Sequence, residues 1–260
     1  MKNNKKQSEV KCGRVNLTKR ASAFFLGGAL ALCLTAANLA AAPAGQAPID
    51  LGSAGAFAVL GASTVTNTGP SVINGNLGVW PGTAYVPGTP PATVNGAIYA
   101  GVAAAQHAQA SLTIAYNNAA GLKVGVVDVA GDLGGQTLAP GLYKSTSTLA
   151  ITGDLTLDAN GNPNAVFIFQ IGSGLTVASH GRVVLSGGAK AANVFWQVGS
   201  SATLGTYSAF KGTVMAYASI TIATGATLDG RALAQHAAVT LDTNAVTMQT
   251  VTLVVPRQDD

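Results

Sequence analysis

Cysteine, charge and histidine are all scarce in this chain of 260 residues. Its two cysteines, Cys12 and Cys33, both lie near the amino terminus, so the rest of the chain offers neither a disulfide framework nor a thiol nucleophile. Charged residues make up only 9% of the chain, and no long apolar run occurs after residue 42. These absences exclude a disulfide scaffold, a thiol enzyme and a protein with many membrane spans.

The formal net charge of +4 comes from the first 20 residues, which hold seven basic groups and one acid. The remainder has seven basic and nine acidic residues, so it lacks the clustered basic surface that nucleic-acid binding requires. An apolar run follows at 21–42, with small residues at its end, which is typical of a secretory signal peptide. We therefore predict a signal peptide over 1–45, cleaved within 36–46, with a retained membrane anchor as the alternative. A single secreted domain over 46–260, without stable membrane association, follows it.

One segment has helical periodicity. Residues 97–120 are rich in alanine and glutamine, contain no proline, and place apolar side chains three and four residues apart. They predict a helix of about 20 residues, hence about 30 Å long. The preceding residues 69–96 are rich in glycine, proline and asparagine and predict an irregular loop or cap.

From residue 149 onward the chain repeats a short triplet in which threonine is flanked by two apolar residues. The intervals lie between 18 and 27 residues with a period near 19, which is typical of a parallel β-solenoid with three short strands per coil. The central threonines of this column are Thr156, Thr176, Thr203, Thr221 and Thr240. Two further columns complete the coils; one comprises 167–171, 194–198, 212–216 and 231–235, and the other 226–228 and 246–248 with 183–185.

Strand side chains alternate between faces, so the flanking residues of each triplet point inward and each threonine points outward. In the column that begins at residue 167 the predicted outward set is too apolar for solvent and includes Ile168, Phe195 and Met215, with Ala232 and Ala234 in the last coil. The predicted helix is the available cover, because six coils at ~4.8 Å span about 29 Å. The fold class is therefore mainly β, a parallel β-solenoid with one long helix along a face.

Residues suited to catalysis or metal binding are not clustered. His107, His180 and His236 have no partner at metal-ligand spacing, so we predict neither a metal nor a cofactor. Asp154 and Asp158 are the best acid pair for glycosidase chemistry, but turn formation explains most aspartates in this chain. The outward threonine column is the remaining feature. Its face carries almost no charge and repeats methyl and hydroxyl groups every ~4.8 Å, an array suited to ordering water.

Several long motifs resemble the microbial ice-binding (antifreeze) protein family. They are GSSATLGT at 199–206, FKGTVMA at 210–216, SITIATGATLDGRALAQ at 219–235 and AVTLD at 238–242. LGSAGAFAVLGASTV at 51–65, LAPGLY at 138–143 and VFIFQI at 166–171 resemble it as well, so the match covers about 51–252. The resemblance implies a discontinuous, right-handed solenoid in which a strand near 62–66 joins coils formed by the carboxyl-terminal half.

The resemblance also implies secretion, adsorption to ice, inhibition of ice recrystallisation and modest freezing-point depression, without enzyme activity. Family members use one flat face with a Thr-Ala/Gly-X-Thr-like pattern, which Ser173 with Thr176 and Ser200 with Thr203 match. In two later coils alanine takes the place of the first hydroxyl-bearing residue, as Ala218 before Thr221 and Ala237 before Thr240. The pair Thr224 and Thr227 also fits the pattern but lies near a turn, so it is the second choice for the ice-contacting site. The expected ice-contacting residues are Ser63, Thr156, Ser173, Thr176, Ser200, Thr203, Ser219, Thr221 and Thr240.

The leading hypothesis is therefore a secreted, monomeric ice-binding protein whose partner is the ice surface. The alternative is a secreted solenoid adhesin or glycan-binding module, which predicts an aromatic or charged groove. The aromatic residues Trp80 and Tyr85, which would suit such a groove, lie in the segment predicted as a loop.

Overall fold

The computed structural model describes residues 45–249, so the predicted signal peptide lies outside the described residues. One α-helix, α1, spans Ala103–Gly121, and the strands are short and numerous. In chain order they are β1 (Phe57–Gly61), β2 (Thr64–Thr68), β3 (Val72–Asn74), β4 (Asn76–Val79), β5 (Ala84–Val86), β6 (Thr93–Val94), β7 (Ile98–Ala100), β8 (Val126–Asp128), β9 (Gly131–Asp132), β10 (Thr137–Leu138), β11 (Gly141–Ser145), β12 (Leu149–Ile151), β13 (Asp154–Asp158), β14 (Phe167–Ile171), β15 (Leu175–Val177), β16 (Arg182–Ser186), β17 (Val194–Val198), β18 (Ala202–Leu204), β19 (Ala209–Ala216), β20 (Ile220–Ile222), β21 (Thr227–Ala234), β22 (Val239–Asp242) and β23 (Ala245–Thr247). Short 3-10 helices occupy Gly52–Ala56 and Ala191–Asn193.

The strands form a parallel β-solenoid with three faces, which confirms the predicted fold class. The threonine face is the eight-stranded sheet β5-β2-β22-β20-β18-β15-β12-β9. The charged face contains β10, β13, β16, the first halves of β19 and β21, then β23, β3 and β6. The covered face runs β8-β11-β14-β17, the second halves of β19 and β21, then β1, β4 and β7. Nine strands on this last face exceed the six coils predicted, because the amino-terminal segment adds coils of its own.

The amino-terminal strands are inserted between coils in space. Strand β1 pairs with β21 on one side and β4 on the other, and β2 likewise lies between β22 and β5. This confirms the discontinuity implied by the family resemblance. Residues 69–96 were wrongly predicted as an irregular loop or cap, since they contain four short strands, β3 to β6, that continue the coils. Glycine and proline mark the corners between these strands, which hid them in the sequence.

Helix α1 packs lengthwise on the covered face, as predicted. It begins six residues later than expected because Ile98–Ala100 pairs with β4 as strand β7. Its buried positions recur at spacings of three and four, and they contact the apolar outward side chains of the strands beneath. These side chains are Leu60, Ile168, Phe195, Met215 and Leu233.

The predicted register of the last coil on this face was wrong by one residue. Ala232 and Ala234, predicted to point outward, lie in the interior, and Leu233 contacts the helix instead. The second halves of β19 and β21 begin at Gly212 and Gly230, which stack directly on each other. A Cβ at Gly230 would lie 1.9 Å from the Gly212 carbonyl oxygen, so this corner requires glycine.

The interior of the solenoid is a stack of inward side chains from successive coils. Its centre is aromatic, with Phe169 and Trp196 rings stacked at 3.9 Å between centroids, Tyr143 next to Phe169, and Phe210 next to Trp196. The Trp196 indole N–H donates to the Lys211 carbonyl at 2.9 Å, which satisfies its one polar atom. A rigid stack of this kind holds the outer faces flat because each coil rests on the one before it.

Candidate functional site: the threonine face

Five threonines lie in one straight row across adjacent coils of the threonine face. Strand register pairs Thr66 with Thr240, Thr240 with Thr221, Thr221 with Thr203, and Thr203 with Thr176. Each is exposed or half-buried, whereas the residues on either side are buried, all of them apolar except Asn67. At the ~4.8 Å spacing between strands, the row extends over about 19 Å.

The hydroxyl groups of this row are free for solvent. Within residues 45–249, no hydrogen bond from another protein group reaches the hydroxyls of Thr176, Thr203, Thr221 or Thr240. Thr66 has only a 3.5 Å approach to the Thr64 hydroxyl. Every hydroxyl in the row can therefore donate hydrogen bonds to ordered water and accept them from it, while the methyl groups cover the surface between the hydroxyls.

Small residues flank the row on both sides and keep the face flat. Two residues after the threonine, the outward positions are Ala178, Gly205 and Ala223 in three coils and Thr68 and Asp242 in the other two. Two residues before it they are small as well, and Ser201 and Ser219 share a hydrogen bond of 2.9 Å between their hydroxyls. Ser219, one of the residues expected to contact ice, therefore lies on this face.

The three other predicted serines lie at the corner where each coil enters the threonine face. Ser173, Ser200 and Ser63 precede their threonines by three residues, and the Ser200 amide donates to the Ser173 carbonyl at 2.9 Å. Ser63 and Ser200 are exposed, and Ser173 is half-buried. They lie at bends just before the strands and border the row.

The placement of Thr156 in this row was wrong. Its strand β13 pairs with β10 and β16, so Thr156 lies on the charged face beside Thr137 and Val184. Ala150 occupies the corresponding position on the threonine face, where it pairs with Thr176. The second-choice residue Thr227 also begins a strand of the charged face, and Thr224 bonds to Asp242 at the corner between the two faces.

Thr66 is the member of the row that sequence reasoning missed. Ser63 was chosen as the contact residue of this coil, although the pattern of a small residue followed three positions later by threonine also marks Thr66. The alternation of buried Val65 with outward Thr64 and Thr66 is the signal that identifies it.

Charge is confined to the margins of the threonine face. Asp132, in the terminal strand β9, and Asp242, at the end of β22, are the charged residues within its described strands. Asp242 accepts hydrogen bonds from the hydroxyls of Thr224 at 2.5 Å and Thr243 at 3.0 Å. Hydrogen bonds from the Thr152 hydroxyl and the Gly134 amide lower the pKa of Asp132, so this carboxylate is ionised at neutral pH.

Two exposed tyrosines stand at the edges of the face. Tyr207, at the corner leading to the charged face, is 59% exposed and lies 5.6 Å from the His180 ring. Tyr217, at the opposite corner, is 49% exposed and lies 4.4 Å from the His236 ring. By contrast, Tyr85 packs against the core, and burial raises the pKa of its hydroxyl. The aromatic residues thus mark two separated edges rather than one groove.

The residues considered for catalysis or metal binding are separated or already paired. His107 is exposed on α1, far along the chain from the other two histidines. Asp154 forms an ion pair with Arg182 at 2.5 Å, and Asp158 accepts from the Asn160 amide in a turn. Within residues 45–249, no group of three histidine, cysteine, aspartate or glutamate side chains is placed to hold a metal ion. The same residues contain no helix long and apolar enough to cross a membrane.

The solenoid and its uncharged threonine row define a class of protein with one flat, hydroxyl-bearing surface. The sequence profile of the family described as ice-binding-like matches residues 59–247. The chain therefore belongs to the ice-binding-like family.

Several relatives are similar over most of their length. An ice-binding protein of Nostoc sp. (strain HG1) is 52% identical over 216 residues, covering 80% of this chain and 79% of the relative. One from Colwellia sp. is 38% identical and covers 80% of this chain and 86% of the relative. A crystal structure of an ice-binding protein from an Antarctic biological consortium matches with a TM-score of 0.77 and 51% identity, covering 79% of this chain and 93% of that one. One from Antarctomyces psychrotrophicus matches at 0.75 and 40%, covering 78% and 100%.

Proposed function

We propose that this protein adsorbs to ice through its threonine face and thereby inhibits ice growth and recrystallisation. The observation that carries the proposal is the row of Thr66, Thr240, Thr221, Thr203 and Thr176, whose spacing is fixed by the solenoid. Its ~4.8 Å step is close to the oxygen repeat along one axis of ice. The names of the relatives support the same function.

The chemistry of the row suits an ordered water layer. Methyl groups favour structured water over apolar surface, and free hydroxyls anchor that water by hydrogen bonds. A charged group at the centre of the face would hold its own hydration shell and disrupt the layer, and the central strands have none. Among the residues expected to contact ice, Ser219 extends the surface and the serines at the corner border it, whereas Thr156 has no part in it.

The remaining features of the proposal concern the form of the protein that acts. We infer export by a signal peptide over 1–45 and action as a secreted monomeric domain over 46–260, without catalysis, cofactor, nucleic acid or membrane. The basic leader and apolar run of the sequence support export, and the dispersed acids and histidines support a binding role without catalysis. The alternative of an adhesin or glycan-binding module is not favoured, since the exposed tyrosines lie on separate edges of the face.

The test is thermal hysteresis and recrystallisation inhibition of the purified protein beside two tyrosine variants. Thr221→Tyr places a ring in the middle of the threonine face and is expected to remove most activity. Thr156→Tyr makes the same change on the charged face and is expected to retain it. Circular dichroism checks that both variants fold. An inactive but folded parent protein would overturn the function and favour the adhesin, whereas equal activity in all three proteins would move the site elsewhere.

A further inference from the structure

The threonine row ends differently at its two termini. Beyond Thr66 the next outward residue is Val86, which has the shape of threonine but lacks the hydroxyl. Beyond Thr176 the next two are Ala150 and Asp132. We propose that Asp132 marks the boundary of the ice-contacting surface and that Ala150 and Asp132 together limit its size. This inference rests on the proposed function and adds the residues that determine how far the surface extends.

Asp132 is fixed in place and cannot turn away from the face. Its Oδ1 accepts from the Gly134 amide at 2.9 Å and from the Thr152 amide at 3.0 Å, and its Oδ2 accepts from the Thr152 hydroxyl. Two of these bonds come from the next coil along the chain, so the carboxylate is held at the surface. Because an ionised carboxylate keeps a strong hydration shell, ice cannot approach this position closely.

The coil of Ala150 is otherwise equivalent to the coils that carry threonine. Leu149 and Ile151 flank it and are buried in the core, as are the residues flanking Thr176. Ala150 is in register with Thr176 and points outward, half-buried. A threonine there would continue the row by one step at the same spacing. The backbone therefore provides a sixth position for a threonine in the row, and this position is occupied by alanine.

The experiment adds the missing features and measures whether activity rises. Ala150→Thr extends the row from five threonines to six. Asp132→Asn removes the charge but keeps an Oδ1 acceptor for the Gly134 and Thr152 amides. If hysteresis follows the number of threonines in the row, Ala150→Thr raises it by at least about a fifth at equal concentration, and the double variant raises it further. The matched control, Asp154→Asn, removes an exposed carboxylate from the charged face and is expected to leave hysteresis unchanged.

The possible outcomes separate this inference from the proposed function. A gain in the double variant, with none in the control, supports the boundary. No gain, or a loss, in folded variants overturns the boundary, while an active parent and an inactive Thr221→Tyr variant would leave the proposed function standing. An inactive parent defeats both. Thermal unfolding followed by circular dichroism shows whether each variant keeps the parent fold.

Discussion

The threonine face and the charged face are built from the same coils and differ in how their polar groups are satisfied. On the charged face, side chains bond to one another across coils, as in the pairs Arg182–Asp154 and Lys211–Asp229. Asn95 likewise donates to Asn74, which donates to Thr247. On the threonine face the hydroxyls of the row are left for water. If the threonine face contacts ice as proposed, the comparison teaches that equal spacing alone does not make such a surface, because the groups must also be uncharged and unpaired.

The largest expected effect comes from placing a charged side chain on the threonine face. Thr203→Lys places an ammonium group in the middle of the row, where contact with ice would strip its hydration, and is expected to reduce hysteresis roughly tenfold or more. Thr156→Lys on the charged face is the matched control and is expected to keep full activity. The comparison would fail if the two variants lost activity equally while remaining folded.

A smaller effect is expected when one half of the threonine side chain is removed. Thr221→Val deletes the hydroxyl and Thr221→Ser deletes the methyl, and each is expected to lower hysteresis about twofold to fivefold, the scale of one net hydrogen bond or one methyl contact. Val184→Thr adds a hydroxyl to the charged face and should add nothing. If only one Thr221 variant lost activity, the remaining group alone would account for binding.

A pH titration should affect the two faces differently. The Arg182 guanidinium lowers the pKa of Asp154 from its ordinary value of 3.8, and hydrogen bonds from Thr152 and Gly134 lower that of Asp132. The stability from these groups is complete above that ordinary value and is lost as the pH falls through the lower folded-state pKa. We expect a constant unfolding temperature from pH 7 to about 5 and a decline below about 4. Hysteresis of the folded protein should not fall with it, since the row itself does not titrate.

The smallest expected effect is the removal of an ion pair from the charged face. Asp154→Asn combined with Arg182→Gln eliminates an exposed ion pair whose contribution is screened by water and salt. Hysteresis is not expected to change, and the unfolding temperature at neutral pH is expected to fall only slightly. A loss of ice activity here would mean that the charged face also contacts ice.

Much of the fold followed from periodicity, because strand alternation and a repeat near 19 residues are local signals. The position of the helix and the inward set around Phe169 and Trp196 were predictable for that reason. The register of individual coils was harder. The segments around Ala150 and Thr156 lie six residues apart and share the same apolar alternation, and the threonine in the second led to the wrong choice.

The amino-terminal part of the site could not be predicted from the sequence for a different reason. Thr66 joins the row only through its pairing with Thr240, which lies far along the chain, and no spacing rule links the two. Strands of two to four residues between glycines and prolines also resemble loops, so β3 to β6 were not recognised. Pairing between distant parts of the chain determines both the position of Thr66 and the amino-terminal strands. The periodicity within one segment carries no information about such pairing.

The insertion of β1 and β2 between carboxyl-terminal and amino-terminal coils sets the order in which parts of the molecule can fold. Asn74 bonds to Thr247, 173 residues away, so this junction forms only after nearly the whole chain has been synthesised. Until then the edges of β1 and β2 that receive β21 and β22 stay open. Contacts of such high sequence separation slow folding and leave strand edges exposed to other chains. A nascent chain of this topology therefore stays incompletely folded until most of it has been translated. Such a chain remains compatible with passage across a membrane in the unfolded state.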